Sequence, residues 1–316
     1  MFTDIRRLSS PTGVLLAYRY APAQQPARGI VLVCHGLAEH AGRYQQFAEG
    51  MAAMGYHVYA HDHRGHGLTA SPERPLGRFA VSGGPDKVIA DVLAMRELAV
   101  AEHKGLPVIL FGHSMGGLIA LNAAVAKPDG FDALAIWNSR FNTGVSGHFA
   151  RRVLAIERIL KGSDVPSGIL PKASFAAWNK EIPDARTDHD WLSTDPNVPQ
   201  QFMDDPYCGF DISVSMWDDV FELTQRPMRR NALAGLPRSL PIHLVGGRHD
   251  PATHGGKDIE WLAQRLSRAG FARLTCQIYP DMRHETLQEY GREAATADFA
   301  EWCGRVTPAR TGEMVA

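Results

Sequence analysis

Residues 108–126 read VILFGHSMGGLIALNAAVA. The run 108–111 is apolar without a polar break, the pattern of a strand buried on both faces of a sheet. Residues 115–126 read as a helix. Between them, Gly112-His113-Ser114-Met115-Gly116 is a G-x-S-x-G sequence, short enough to arise by chance in many chains. Its setting gives it meaning. From strand to helix the turn is so tight that flanking glycines are needed to avoid side-chain clashes, and the serine sits at the apex with its hydroxyl pushed into solvent.

Similar apolar runs recur at 29–33, 57–60, 133–137, 242–245 and 274–279, with helix-like segments at 44–54, 85–102, 257–269 and 289–303. An opening hairpin is predicted from 6–8 and 14–20, split by Ser-Ser-Pro-Thr-Gly. Strand and helix alternating this often predict an α/β fold, a mostly parallel sheet with helices on both faces. The stretch 141–236 breaks the rhythm. It holds no convincing buried strand, only helical patterns at 148–160 and 216–228 among Pro-rich and Asp-rich loops, and is expected to be an inserted helical cap. The predicted organisation is a core in two parts, 1–140 and 237–306, the cap at 141–236, and a tail at 307–316.

Composition excludes several classes. The 316 residues leave room for two domains, or for one large domain with an insertion. Hydrophobic residues at 45% and charged residues at 21% are those of an ordinary folded protein. Lys plus Arg is 33 against 34 for Asp plus Glu, so no cationic excess favours phosphate backbones, and nucleic acid is not an expected partner. Residues 1–10 lack the apolar stretch of a signal peptide and no apolar run is long enough to span a bilayer, which makes the cytoplasm the expected location. Cys34, Cys208, Cys276 and Cys303 form no C-x-x-C pair, so neither a structural zinc site nor a disulfide framework is expected; Cys34 and Cys276 are expected to be small buried apolar residues. Histidines number 14, but His61, His63 and His66 lack zinc-site spacing and no H-E-x-x-H accompanies them. Neither a metal nor a cofactor is expected.

A serine hydroxyl is a poor nucleophile until a base takes its proton, and that base needs a third group to hold its tautomer. With this motif the partners follow in the order Ser, Asp or Glu, His, each on a loop after a strand. Asp250, in Gly246-Gly247-Arg248-His249-Asp250-Pro251, fits the acid, and His284, in Pro280-Asp281-Met282-Arg283-His284-Glu285, fits the base. His249 competes for the base, but adjacency to Asp250 prevents a clean in-plane contact. Asp62 competes for the acid, yet its turn with Arg64 and Gly65 suits a loop brace. The oxyanion of acyl transfer needs preorganised N–H donors. One is expected from Met115, after the nucleophile, and the other from Leu37, in the loop following 29–33. There Gly36 permits close backbone approach and His35 reads as a brace.

Five motifs then occur in order: HGLAEHAGRY (35–44), HDHRGHGLT (61–69), GHSMGG (112–117), GGRHDP (246–251) and YPDMRHETLQE (279–289). Together they resemble the monoacylglycerol lipase and lysophospholipase branch of the α/β-hydrolases, also labelled serine aminopeptidase-like, over about residues 5 to 303. The resemblance implies an α/β-hydrolase fold and hydrolysis of a carboxylic ester whose acyl chain lies in an apolar slot beneath the cap. By position it implies Ser114, Asp250 and His284 as triad, Leu37 and Met115 as oxyanion hole, and His35, Gly36, His113 and Tyr207 at the substrate. Tyr207 replaces a usual leucine in Asp205-Pro206-Tyr207 and is expected to narrow or polarise the slot. Asp281 stands where glycine is common and Gln288 where asparagine is.

Within the cap, Phe149, Val153, Leu154, Ile156 and Leu160 are spaced largely for one helix face. That face either covers the active site or rests on a membrane surface. The expected partner is a small lipid-like ester. Two other functions fit the scaffold. An aminopeptidase removing an N-terminal proline would need a cap carboxylate for the substrate ammonium, for which Glu181, Asp204, Asp205 and Asp218 are available. A ligand-binding homologue without turnover would be expected to carry a broken triad. Dehalogenase and epoxide hydrolase chemistry would need Asp at position 114.

Overall fold

Residues 2–142 and 144–307 are described by the computed structural model. Eight strands form one sheet: β1 (Arg6–Ser9), β2 (Leu15–Ala21), β3 (Gly29–Cys34), β4 (Tyr56–His61), β5 (Val108–His113), β6 (Ala133–Trp137), β7 (Ile242–Gly247) and β8 (Leu274–Tyr279). Their order is β1-β2-β4-β3-β5-β6-β7-β8. β2 pairs antiparallel with β1 and β4, and every later pair is parallel. The helices, in chain order, are α1 (Gln45–Ala53), α2 (Gly84–Glu102), α3 (Met115–Ala126), α4 (Gly144–Lys161), α5 (Leu170–Ala173), α6 (Phe175–Lys180), α7 (Asn197–Asp204), α8 (Val214–Gln225), α9 (Lys257–Arg268) and α10 (Arg292–Val306).

The unbroken apolar runs have a physical reason: alternate side chains enter two different cores. Along β3, Ile30, Leu32 and Cys34 join one cluster with Val88 of α2, Ile119 of α3 and Leu262 of α9. Val31 and Val33 join the other, with Phe47 of α1 and Phe299 of α10. Trp137, fully buried, packs its ring 5.2 Å from Phe111 and 5.6 Å from Phe299 and donates its indole N–H to His243 Nδ1 at 3.1 Å. It thus ties β5, β6, β7 and α10 together; truncation to alanine would cost about 3–5 kcal/mol.

Parallel pairing sends β3, β5, β7 and β8 toward the same edge, so the loops carrying Leu37, Ser114, Asp250 and His284 gather there. Between β6 and β7 the described residues form helices α4 to α8 and no strand of the sheet. The helix read at 148–160 is α4, and that read at 216–228 is α8 followed by a 3-10 turn, Arg226–Met228. α5, α6 and α7 are additions, each too short to leave a helical period in the sequence. Thr143 in the expected linker, and all of the expected tail beyond Thr307, lie outside the described residues. One expectation is corrected: Cys276 is exposed, whereas Cys34 is buried. β8 ends the sheet with a neighbour on one side only, and its side chains are mostly half-covered.

Candidate active site

Ser114 joins β5 to α3 with φ +52° and ψ −119°, a positive φ that side chains other than glycine rarely adopt. Such strain costs on the order of 1–3 kcal/mol and persists only where surroundings enforce it. Here Ser114 N–H donates to Trp137 O (2.8 Å), and Ser114 O accepts from Ser139 Oγ (2.7 Å) and Gly117 N–H (3.0 Å). A Cβ on Gly112 would lie 2.2 Å from Gly116 O, and one on Gly116 would lie 2.0 Å from Cys34 O. Both glycines are therefore steric requirements of the turn.

Ser114 Oγ lies 3.0 Å from His284 Nε2. On the other side of that ring, Nδ1 is 3.1 and 3.0 Å from the two carboxylate oxygens of Asp250. Asp250 also accepts from Ala252 N–H (2.9 Å), Thr253 Oγ1 (2.7 Å) and Asn138 Nδ2 (3.2 Å). Complete burial pushes its carboxyl up, but the His284 imidazole and these donors outweigh burial and hold it below the usual carboxylate value. An ionised Asp250 keeps the proton of neutral His284 on Nδ1, leaving Nε2 as acceptor for the Ser114 hydroxyl. The His284 loop is stitched to the helical segment by Glu285 N–H on Leu192 O (2.7 Å) and Arg283 Nη1 on Asp190 O (2.6 Å) and Ser193 O (2.9 Å).

Glu39, 3% exposed, organises the facing loop. Its carboxylate accepts from Gly36 N–H (2.5 Å), Tyr44 OH (2.8 Å) and Arg43 Nη1 (2.8 Å), and lies 3.4 Å from His113 Nδ1. Burial pushes Glu39 up, but His113 and Arg43 prevail and hold it well below the ordinary glutamate value. Burial alone would lower His113; the Glu39 carboxylate raises it instead. His113 Nε2 donates to His284 O at 3.0 Å. Arg43 also pairs with Glu285, donating from Nη2 at 2.6 Å. One buried carboxylate thus links the Gly36 peptide, the residue before Ser114, and through His113 the backbone of His284. Sequence reading missed Glu39, Arg43, Asn138 and Glu285. Only the four-residue spacing of Glu39 and Arg43 hinted at a pair, and surface helices show the same spacing.

A cavity of about 470 Å³ opens above Ser114. Ser114, His284, Gly36, Leu37, His113 and Met115 line it, with Leu170, Phe175, Trp178, Trp191, Phe210 and Trp217 among its apolar wall. Asp250 lies behind His284. Two residues expected at the substrate are placed elsewhere. His35 is fully buried, its Nδ1–H on Gly36 O (2.8 Å) and its Nε2 accepting from His63 N–H (2.9 Å), so it braces the loop, the role its position also suggested, and does not line the cavity. Tyr207 stands edge-on to His40, ring centroids 6.0 Å apart, and is not part of the lining. Asp62 accepts from Arg19, Ala41 N–H and Leu68 N–H, a bracing role. His249 is exposed.

The rings of His35, His61, His63 and His66 pack together without sharing a metal-binding centre, and burial pushes His61 and His66 down to about 4. Among the described residues, only His40, Asp205 and Cys208 bring three metal-type ligand atoms within 4.8 Å of one another. His40 Nδ1 accepts from Gly42 N–H (3.1 Å), so its proton sits on Nε2 and is donated to Asp205 Oδ2 (2.8 Å). A metal would have to displace that proton, and the group reads as a clasp between the loop after β3 and the segment after α7.

The family model described as serine aminopeptidase, S33, matches residues 25–291. The chain belongs to that family. A monoacylglycerol lipase of Mycolicibacterium smegmatis is 29% identical over 300 residues, covering 92% of this chain and 93% of the relative. A monoglyceride lipase of Rattus norvegicus is 26% identical, covering 79% and 74%. A thermostable carboxyl esterase from Bacillus coagulans, solved with glycerol, superimposes with a TM-score of 0.87 at 22% identity, covering 96% of this chain and 98% of that one. The mostly parallel sheet with its helices is the α/β-hydrolase fold.

Proposed function

We propose that this S33-family chain is a carboxylic ester hydrolase in which Ser114 is the nucleophile, His284 the general base and Asp250 its orienting acid. Ser114 Oγ attacks the ester carbonyl as its proton passes to His284 Nε2. The N–H groups of Leu37 and Met115 meet the tetrahedral oxyanion; Met115 opens α3, where first-turn N–H groups have no partner within the helix. Collapse expels the alcohol, protonated by His284, and leaves an acyl-enzyme that water cleaves by the same steps in reverse roles. The carrying observation is the serine–imidazole contact of 3.0 Å, with the imidazole backed by a fully buried carboxylate, at a largely apolar cavity.

The proposed substrates are monoacylglycerols, lysophospholipids or similar simple lipid esters. The apolar wall and the names of the M. smegmatis and rat relatives support this. Residues 141–236 would act as a cap over the site. An aminopeptidase is less well supported. None of Glu181, Asp204, Asp205 and Asp218 lines the cavity, Glu39 and Glu285 are already paired with Arg43, and Asp211 is exposed. Ser114→Ala should abolish turnover of esters graded by chain length and head group; undiminished turnover would overturn the proposal.

The expected single apolar face of α4 divides in two. Ala150 and Val153 line the cavity, whereas Ile159 is 83% and Leu160 76% exposed. Phe149 does both, being 69% exposed and part of the lining. Arg151 is drawn toward α8, bonding Gln225 (2.7 Å) and Asp218 (3.3 Å). We infer that the exposed part of α4 rests transiently at a lipid–water interface beside the cavity. Among the described residues no helix is long and apolar enough to cross a membrane. The proposed location is the cytoplasm, which cell fractionation with an activity assay checks.

A further inference from the structure

Away from Ser114, the chain returning from α8 to β7 and the C-terminal part of α9 border an open cavity of about 400 Å³. Five arginines line it: Arg229, Arg230, Arg238, Arg265 and Arg268. Among the described residues its lining includes no aspartate, glutamate or lysine and shares no residue with the cavity above Ser114. In a chain whose charges balance to −1, this is a concentrated cationic field. Among the described residues, only Arg229 of the five is in an ion pair, with Glu222 at 2.7 Å, and Glu222 also holds Arg226 at 3.0 Å.

Two of the guanidinium groups are fixed in place. Arg265 Nη2 donates to Met228 O (2.6 Å) with its plane over Trp261, and Arg238 Nη1 donates to Leu233 O (3.0 Å) over the ring of Phe271. Arg265 Nε–H is buried and has no acceptor among the described residues, and native proteins usually meet such a group with a ligand or water. Arg265 and Arg268 lie in the last turn of α9, where cations complement the helix dipole, but that role does not call for Arg229, Arg230 and Arg238 beside them.

We propose that this cavity binds a small phosphomonoester. The cations are all arginine, whose planar forks match phosphate oxygens two at a time. Held guanidinium groups lose little freedom on binding, a dianion relieves their mutual repulsion, and Trp261, Leu233 and Pro227 offer an apolar wall to the organic part.

The test is titration calorimetry of the full chain with glycerol 3-phosphate, at constant ionic strength, beside glycerol and succinate. Saturable binding at one site is expected for glycerol 3-phosphate alone. The exposed pair Arg230→Gln and Arg268→Gln should weaken it by about ten- to hundredfold while turnover of a short-chain ester, which reports folding, is unchanged. Arg230→Gln alone serves if the double variant unfolds. No binding of glycerol 3-phosphate, equal binding of succinate, or an affinity that the substitutions leave intact would overturn the proposal. So would binding seen only with vesicles containing phosphatidic acid, which would make the surface a membrane contact.

Discussion

Gly116→Ala is expected to damage catalysis far more than folding. A Cβ at this position would sit 2.0 Å from Cys34 O, 2.5 Å from Cys34 C and 2.6 Å from His35 O. These atoms are backbone, and Cys34 is held in the sheet by its pairing with Gly112, so no side chain can swing aside. Ordinary contact begins at 3.4 Å, so the gap must open by up to 3.4 − 2.0 = 1.4 Å. What parts is the start of α3, with Ser114 and Met115, from the end of β3, with Leu37. These segments carry the proposed nucleophile and both proposed oxyanion donors, and a displacement near 1 Å can cost about a hundredfold in rate. Overpacking itself typically costs about 1–3 kcal/mol, a fraction of the roughly 5–15 kcal/mol that holds a domain folded. The expected result is a kcat/KM on p-nitrophenyl butyrate lowered about a hundredfold or more, with a cooperative thermal transition shifted by several degrees. Gly235→Ala, whose Cβ would meet only Pro128 Cγ at 3.5 Å, is the control and should change neither. Wild-type kcat/KM in Gly116→Ala would refute the reasoning, and complete unfolding would place the cost in the fold instead of the site.

Two further variants probe the surroundings. Glu39 is held below its ordinary 4.5, so its contribution to stability is present above that value and lost as pH falls through the depressed one. His113 is raised above its ordinary 6.5, so its contribution is present below that value and lost as pH rises through the raised one. The stability advantage of wild type over Glu39→Gln should therefore be widest between about pH 4.5 and 6.5 and narrow on both sides, without closing on the alkaline side, where Arg43 stays charged. Urea unfolding across pH measures it, and a flat difference would contradict the pairing. Replacing Ile159 and Leu160 together by Asp should weaken co-sedimentation with phosphatidylcholine vesicles about tenfold or more. It should slow turnover of long-chain monoacylglycerol but spare a soluble short-chain ester; equal effects on both would count against an interfacial role for α4.

The central strands were legible because they lie between two helical layers, as the edge strand β1, mostly exposed, does not. Burial on both faces removes every polar residue from runs such as 30–33 and 108–111, leaving them distinct from everything around them. β8 shows the limit of that signal: Leu274 and Ile278 pack on the core, yet Cys276 between them is exposed, because the strand has a neighbour on one side only. The approach of Ser114, Asp250 and His284 was legible for a topological reason, since residues just after parallel strands share one edge however distant they are in sequence. Tyr207 and His35 follow no such rule. Whether a loop side chain turns into a cavity or away from it depends on the neighbours it finds, here His40 and the His63 peptide.

Glu39 marks where sequence reasoning ends and why. In HGLAEHAGRY its charge looks like that of any solvated loop residue, and nothing local separates a glutamate facing water from one at 3% exposure. Its four partners come from Gly36, Arg43, Tyr44 and His113, and the last arrives only because β3 and β5 pair in register, Cys34 opposite Gly112. A buried carboxylate would be costly if any of these were missing. The same pairing that brings His113 to Glu39 also fixes the Gly36 peptide beside the Ser114 turn. The aim of the proposed oxyanion donors is therefore a property of the assembled sheet: substitutions of Glu39, His113 or Gly116 should disturb the same geometry though the three residues differ in chemistry, and their effects should be non-additive in a double-mutant cycle.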